Sequence, residues 1–299
     1  MITCVGPIFL DRVIKIDRFP EKPIKLIANG LEKRLGGPAP VASFAIKFLG
    51  GDAEFVGRFG SDDAADFLKS EFLESSIPIE KSIIVEEAQT SQSHIFEDSL
   101  GERMLAVFNE KKLTNETTLP GFNFSGNQSY LVDTNWIEAA HFVSIQSNKH
   151  QINCVVDLDN FSNSNLVDEV VNSASHPIFS EIGLNRYMEN MPIIDALRSL
   201  YQKNKKFYAV TLGDRGVYWI ENGNVFHCEP PKIEVKETNG AGDVFHGAFA
   251  KFIETKTTQE AIELATACAT LKCTRIGGIK TLPNNKEVIK FSKQIKPSK

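Results

Sequence analysis

Short apolar runs and segments of helical period follow one another along most of the chain. The short runs, bounded by polar or turn residues, predict strands at residues 2–5, 53–57, 130–132, 154–158, 177–179 and 207–212. The segments with apolar residues every three to four positions predict helices at 41–49, 64–75, 136–148, 165–173, 193–204 and 260–272, and one that begins at Asp243. This alternation is typical of βαβ units and predicts an α/β fold with a mostly parallel central sheet.

Other stretches alternate with the shorter period of strands that are exposed on one side. Residues 12–35 contain apolar runs at 13–16 and 26–27, separated by prolines, and residues 91–108 predict a hairpin that turns at 98–101. Because these strands are too polar for a core, we predict that they form a small β-sheet lid on a single domain spanning residues 1–299. A further hairpin is predicted at 217–227 around Asn222 and Gly223.

Composition narrows the class of protein. The chain has 299 residues, 42% of them hydrophobic, and a formal net charge of -5. Its length and hydrophobic fraction predict a large core. Its negative net charge predicts no nucleic-acid partner. No apolar stretch is long enough for a membrane span, and no signal peptide is predicted. The five cysteines form no CxxC pair, which favours reduced thiols and a cytoplasmic location.

Three small residues precede a carboxylate at the start of a predicted helix. Gly240, Ala241 and Gly242 leave their backbone N–H groups open to an anion, and the helix N-terminus favours negative charge there. Asp243 follows directly. In isolation this Asp would be read as a helix cap. Beside three small residues it is better explained as a base that takes a proton from a hydroxyl while the N–H groups hold a phosphoryl group.

The run from Thr238 to Asp243 resembles the Asp-Thr-x-Gly-Ala-Gly-Asp signature of the ribokinase-like (PfkB) carbohydrate kinases, with Glu237 in place of the first Asp. The resemblance implies a ribokinase-like three-layer α/β/α fold and transfer of phosphate from ATP, with Mg²⁺, to a sugar hydroxyl. It assigns Asp243 as the base and the Gly240, Ala241 and Gly242 amides as the anion hole.

The same resemblance assigns further residues. It implies that Asp11 and the Gly36–Gly37 pair bind the sugar, although Asp11 by itself also reads as a turn residue. It places the nucleotide against Thr211, Gly213, Gly216, Thr238, Ala269, Lys272 and Gly277. Without the family, the 211–216 run would be an ordinary strand end and the alanine face of helix 260–272 a helix-packing seam.

The chain departs from the family where metals are concerned. The family's Asn-x-x-Glu motif is here Ser180-Glu181-Ile182-Gly183, so Glu181 is the predicted metal residue, acting through water. The family has an Asp near a monovalent cation at the position of Glu237, which leaves K⁺ dependence open.

Within the family, the chain is most similar to sulfofructose kinases. The similarity rests on the runs 91–93, 101–103, 240–247 and 271–275 and implies substrate contacts from Gln92, Lys25 and Asn135. Lys25 matches one anion contact of those enzymes, but Val107 and Asn135 stand at the other two. A bidentate guanidinium clamp is therefore absent, and we predict a neutral or weakly anionic small sugar, a ketose such as fructose or a derivative.

Two alternatives remain at this point. A nucleoside kinase would need an aromatic slot for the base, for which Phe9, Phe96 and Trp136 are candidates. A catalytically weak nucleotide-binding module is suggested by Glu237 and the altered Asn-x-x-Glu motif. The strand edges of the lid predict pairing of two lids in a homodimer.

Overall fold

The computed structural model describes residues 1–100, 102–125, 128–161 and 165–296. The strands are β1 Ile2–Val5, β2 Phe9–Lys15, β3 Gly30–Gly36, β4 Ala53–Val56, β5 Arg58–Phe59, β6 Ile83–Ile84, β7 Gln92–Glu97, β8 Arg103–Phe108, β9 Ser129–Asp133, β10 Cys154–Leu158, β11 His176–Ser180, β12 Tyr208–Thr211, β13 Val217–Glu221 and β14 Asn224–Cys228. The helices are α1 Pro38–Phe48, α2 Asp63–Glu74, α3 Lys111–Thr114, α4 Ile137–Lys149, α5 Asn165–Ser173, α6 Glu181–Tyr187, α7 Ile193–Asn204, α8 Ala241–Phe252, α9 Thr258–Cys273 and α10 Asn285–Ser292.

An eight-stranded sheet forms the centre of the molecule. Its order is β14-β13-β12-β11-β10-β9-β1-β4, and the strands from β12 to β4 in this order run parallel. The β13–β14 hairpin is antiparallel and turns at Asn222 and Gly223, whose φ angles of 51° and 81° suit this tight turn. The predicted α/β architecture with a mostly parallel sheet is therefore confirmed.

Helices cover both faces of this sheet because each buried strand presents apolar side chains in both directions. Leu131 and Val155 belong to a core cluster with α1, α2, α8 and α9, whereas Val132 and Val156 belong to a second cluster with α4, α5 and α7. Successive residues of a strand point to opposite faces, so adjacent positions enter different cores. Within the described ranges no helix is both long and apolar enough to cross a bilayer.

A second sheet has the order β3-β2-β7-β8 and contains the predicted hairpin at 91–108. Gly101 of the predicted turn lies outside the described residues. The predicted strand at 26–27 is wrong: both residues lie in an irregular exposed segment, and β3 begins only at Gly30. Pro20 and Pro23 lack the N–H donor that a ladder requires, which favours the irregular path.

The expectation that 260–272 is the last helix is also wrong. α10 follows it, and its N-terminus is capped by reciprocal hydrogen bonds between Asn284 and Glu287. This Asn-x-x-Glu spacing is the capping signal that would have predicted the helix. Asp11, which by itself reads as a turn residue, lies within β2 of the second sheet.

Candidate functional site

The turn before α8 has the geometry of an anion-binding site. Gly240 adopts the left-handed conformation with φ of 74°, which allows the chain to enter the helix sharply. The Ala241 N–H donates to the Thr238 carbonyl at 3.1 Å, so this amide stabilises the turn itself. A Cβ on Gly242 would meet nothing within 4 Å. The open space lies in front of the helix N-terminus, where an anion is favoured.

Asp243 faces a small pocket that is also lined by residues predicted to bind the sugar. This cavity has a volume of about 100 Å³, and Asp11, Gly36, Gly37 and Gly240 contribute to its lining. A Cβ on Gly36 would lie 2.4 Å from a carboxylate oxygen of Asp11, so only glycine leaves room for that carboxylate. The structure therefore brings two carboxylates from distant parts of the chain, on β2 and α8, to one pocket.

Both pocket carboxylates are easier to protonate than usual. Burial, followed by the negative charge of Asp157, raises the pKa of Asp243 to about 7. Burial also raises the pKa of Asp11 to about 6, although a hydrogen bond from Ser93 and the charge of Arg34 act in the opposite direction. A carboxyl with a pKa near 7 is suited to accept and release a proton at neutral pH.

Two further carboxylates lie behind Asp243, at the carboxyl ends of β9 and β10. Burial is the first cause that raises the pKa of both Asp133 and Asp157 to about 7. His246 Nδ1 is 3.3 Å from Asp157 Oδ2 and 2.8 Å from the Gly242 carbonyl oxygen, so it connects this acidic group to the anion-binding turn. The end of the sheet thus concentrates negative charge that a bound cation would offset.

The residues assigned to the nucleotide lie on both sides of the α8 N-terminus. Thr211 ends β12, and Gly213 and Gly216 follow in a turn with φ of 60° and 83°. A Cβ on Gly216 would lie 2.0 Å from the Cys228 carbonyl, so this glycine also has a packing requirement. A larger cavity of about 1130 Å³ lies beside this turn, between α7 and residues 229–232, and does not include Asp243.

The other assigned nucleotide residues lie near the end of α9. Ala269 is partly buried and packs against the core of α1, α8 and α9. Lys272 and Gly277 donate hydrogen bonds to Glu237, and Lys272 also lines the pocket of Asp243. The exposed Thr238 contributes its carbonyl to the anion-binding turn.

Three predicted substrate residues are not brought to this pocket. Gln92 accepts a hydrogen bond from Arg12 Nε at 2.8 Å and therefore lies on the opposite face of its sheet from Asp11. Lys25 is exposed in the irregular segment before β3. Asn135 is exposed after β9, where its side-chain oxygen accepts from Asn160 at 3.4 Å.

Glu181, the predicted metal residue, forms an ion pair with Arg215 at the nucleotide turn. Two positions later, Gly183 is packed against the end of β10. A Cβ there would lie 1.9 Å from the Leu158 carbonyl oxygen. The chain therefore has no space for a side chain at the position where the resembled motif has Glu.

Sequence reasoning missed Arg34 and Ser93, which the strand register places opposite Asp11. The alternation of side chains along β3 and β7 would have identified both residues if the pairing of these strands with β2 were known. The sequence does not give this pairing. It also missed Asp133 and Asp157. Their signal was available, because Asp133 ends β9 and Asp157 is the last residue but one of β10, at the edge of a parallel sheet where ligands bind in such folds.

Comparisons with known proteins cover nearly the whole chain. A family profile described as "pfkB family carbohydrate kinase" matches residues 1–285. The chain is 23% identical to a ribokinase from Dictyostelium discoideum, covering 96% of this chain and 98% of that protein. It is 24% identical to fructokinase-1 from Zea mays, covering 97% of each. The crystal structure of a candidate ribokinase from Agrobacterium tumefaciens superposes with a TM-score of 0.90 at 26% identity, covering 98% of this chain and 97% of that one.

Proposed function

Since this chain belongs to the PfkB family of carbohydrate kinases, we propose that it transfers the γ-phosphoryl group of ATP to a hydroxyl of a small neutral ketose such as fructose. Its fold is the ribokinase-like fold that its signature run predicted. The observation that carries the proposal is the position of Asp243, which faces Asp11 across one small pocket directly in front of an open helix N-terminus.

Each part of this pocket has a role in such a transfer. Asp11 accepts hydrogen bonds from sugar hydroxyls, and Gly36 and Gly37 allow the ring to approach the backbone. Asp243 takes the proton of the attacking hydroxyl. The Gly240 and Gly242 amides stabilise the charge on the transferring group, whereas the Ala241 amide is already used by Thr238. Phosphoryl transfer requires little more than this positioning and charge stabilisation.

ATP enters beside the Gly213–Gly216 turn, with its triphosphate directed to the α8 N-terminus. Mg²⁺ usually keeps several waters and binds substrate phosphates with few protein ligands. In the described parts of the chain no three His, Cys, Asp or Glu side chains come together as a metal-binding group, whereas Asp133 and Asp157 lie close enough to Asp243 to act on its charge. When bound, Mg²⁺ neutralises part of the phosphate charge. Glu181 reaches it through water if the Arg215 pair opens.

The substrate class follows from size and charge. The pocket of about 100 Å³ suits a small sugar. Its two cationic side chains, Arg34 and Lys272, are already paired with carboxylates of the protein, which disfavours a strongly anionic substrate. The similarity to a ribokinase and to a fructokinase-1 also supports a small sugar as the substrate. Trp136 is buried and stacks on Arg58 at 4.3 Å, so it is not available to a nucleoside base. Phe9 and Phe96 are only partly buried, and the riboside arm of the substrate panel tests them.

A substrate panel tests this proposal. With ATP and Mg²⁺, we expect a higher kcat/KM for fructose than for sulfofructose, adenosine or other ribosides, measured by ADP release in a coupled assay. Ribose serves as the neutral pentose control. A strong preference for sulfofructose would contradict the inference from Asn135, and a preference for ribosides would support the nucleoside-kinase alternative. Absence of ADP release with every acceptor would support the weak nucleotide-binding module.

We further propose that two copies pair through the second sheet, which acts as the lid. β8 is an edge strand of this sheet, and its apolar side chains are exposed on both faces. The exposed fractions of Met104, Leu105 and Val107 are 55%, 54% and 53%. An apolar edge of this kind pairs readily with another strand. We also propose a cytoplasmic location, because the five cysteines form no CxxC pair and four of them are buried.

Leu105→Glu is expected to convert the dimer into a monomer, because the new carboxylate loses solvation when the two sheets pair. Light scattering after size exclusion measures this as a change from about twice 33.2 kDa to one chain mass. The matched control is Leu73→Glu on α2, where the side chain is 81% exposed and lies outside the lid. A wild-type protein that elutes as a monomer would reject this pairing.

A further inference from the structure

Glu237 is the centre of a buried group of opposite charges behind the anion-binding turn. Its side chain is 3% exposed, and it lies three residues before Gly240. The Arg34 guanidinium binds Oε1, and Lys272 Nζ lies 3.5 Å from Oε2. The Gly277 and Gly278 N–H groups donate to the same Oε2 at 3.2 and 3.4 Å. Both carboxylate oxygens are therefore occupied by donors.

Lys272 contacts Glu237 through a backbone hydrogen bond as well as through the ion pair. Its side chain is 1% exposed, and Nζ also donates to the backbone carbonyl of Glu237 at 3.2 Å. A buried ammonium is stable only when its hydrogens are paired in this way. Lys272 thus joins the end of α9 to the segment that leads into the turn, and it lines the pocket together with Asn239 and Asp243.

Arg34 connects the same group to the second sheet. Its Nη2 and Nε bind Glu32 Oε2 at 2.5 and 3.0 Å, while Nη1 binds Glu237. On the neighbouring strand its register partner is Asp11. The positive charges of Arg34 and Lys272 therefore compensate the negative charges of Glu32 and Glu237. This group links the sugar side of the pocket to the phosphate side.

This donor set does not fit a bound monovalent cation. Such an ion is held by oxygen atoms with net negative character, but the partners that the described residues offer to the Glu237 carboxylate are four N–H donors, two of them cationic. An added K⁺ would lie beside the fixed charges of Lys272 and Arg34 and would compete for oxygens that are already bonded. The family's cation and this arrangement therefore exclude each other.

We propose that Lys272 and Arg34 take the place of the monovalent cation behind the turn, so that this kinase works without K⁺. Lys272 is then a positioning residue: its Nζ is bonded to the carbonyl and the carboxylate of Glu237 and holds the segment 237–240 in the conformation that presents the turn amides. This inference rests on the proposed kinase function.

The first test uses the wild-type protein in chloride salts of K⁺ or tetramethylammonium at equal ionic strength. We expect kcat to differ by less than about twofold between them, and the upward shift of Tm on adding ADP to be the same in both. Activation of the wild type by K⁺ of about tenfold or more, or an ADP-induced shift that requires K⁺, would overturn the proposal. Lack of sugar phosphorylation in both salts, with equal ADP-induced shifts, would instead count against the proposed function.

Lys272→Met removes the charge and keeps the length of the side chain. We expect kcat in tetramethylammonium to fall by about 10²-fold, as expected for a displaced turn, and K⁺ to restore about tenfold of the loss because a cation can now approach Glu237. Lys272→Arg should retain K⁺ independence. The control is Lys256→Met, at an exposed position between α8 and α9. A Lys272→Met enzyme with unchanged kcat and unchanged ADP-induced Tm shift would reject the positioning role.

Discussion

Asp243→Asn is expected to lower kcat by about 10²- to 10⁴-fold, the range by which a positioned general base accelerates proton transfer. The amide keeps the shape of the side chain and the turn in front of α8, but it cannot take the proton of a sugar hydroxyl. ATP binding, measured by calorimetry, should change little, because the turn amides remain. Near-wild-type turnover would eliminate Asp243 as the base. Loss of ATP binding without any other defect would reduce its role to holding the turn.

The pH dependence gives the same assignment a second readout. The pKa of Asp243 is raised to about 7, chiefly by burial, so the base is half protonated near neutrality. The kcat/KM of the wild type should therefore rise with pH through about 7 and level off above it. In Asp243→Asn this rise should disappear from the residual activity.

Asp243 should also lower stability in the pH range where it works. Its folded-state pKa is above the unfolded value, so the folded state gains stability from protonation at low pH and loses it as pH rises through about 7. Asp243→Asn removes this loss. Its Tm should exceed that of the wild type at about pH 8, and the difference should shrink at about pH 5. A variant that is less active and also less stable at both pH values would indicate a damaged fold instead.

The sequence predicted the layers of this fold because short apolar runs and helical periods are local signals. β10 and α5, for example, have the bounds that the pattern gave them. The second sheet was harder, because the path from Lys15 to Gly30 depends on two prolines and on solvent exposure, not on the apolar pair 26–27. An apolar pair predicts a strand only where a neighbouring strand can pair with it.

The candidate site also has one part that the sequence could predict and one part that it could not. Asp243 and its turn could be found because the residues that bind and the residues that act are adjacent in the chain. Asp11 and Arg34 meet through strand pairing. Glu237 and Lys272 meet where the segment before α8 passes the end of α9, so no local pattern connects either pair. Gln92 was assigned to the pocket by similarity, although the alternation of its strand directs it to the face of Arg12.

Gly183→Glu, which restores the charged residue of the resembled Asn-x-x-Glu motif, is expected to destabilise the protein by more than about 3 kcal/mol. Gly183 lies inside α6, and a Cβ there would be 1.9 Å from the Leu158 carbonyl oxygen at the end of β10. The backbone of α6 or β10 must move before any side chain fits, and a carboxylate at this place adds a cost of desolvation. Urea unfolding measures the change.

The matched control is Ile182→Glu, which adds the same charge to the same helix at a position that is 67% exposed. We expect its stability to be within about 0.5 kcal/mol of the wild type. If Gly183→Glu were as stable as the wild type and more active at low Mg²⁺, the chain would only lack a metal ligand that this substitution restores. If it is destabilised and gains no activity, the contact of α6 with β10 has closed this position to metal binding. A divalent ion bound with the nucleotide would then depend on the phosphates and on waters for most of its ligands.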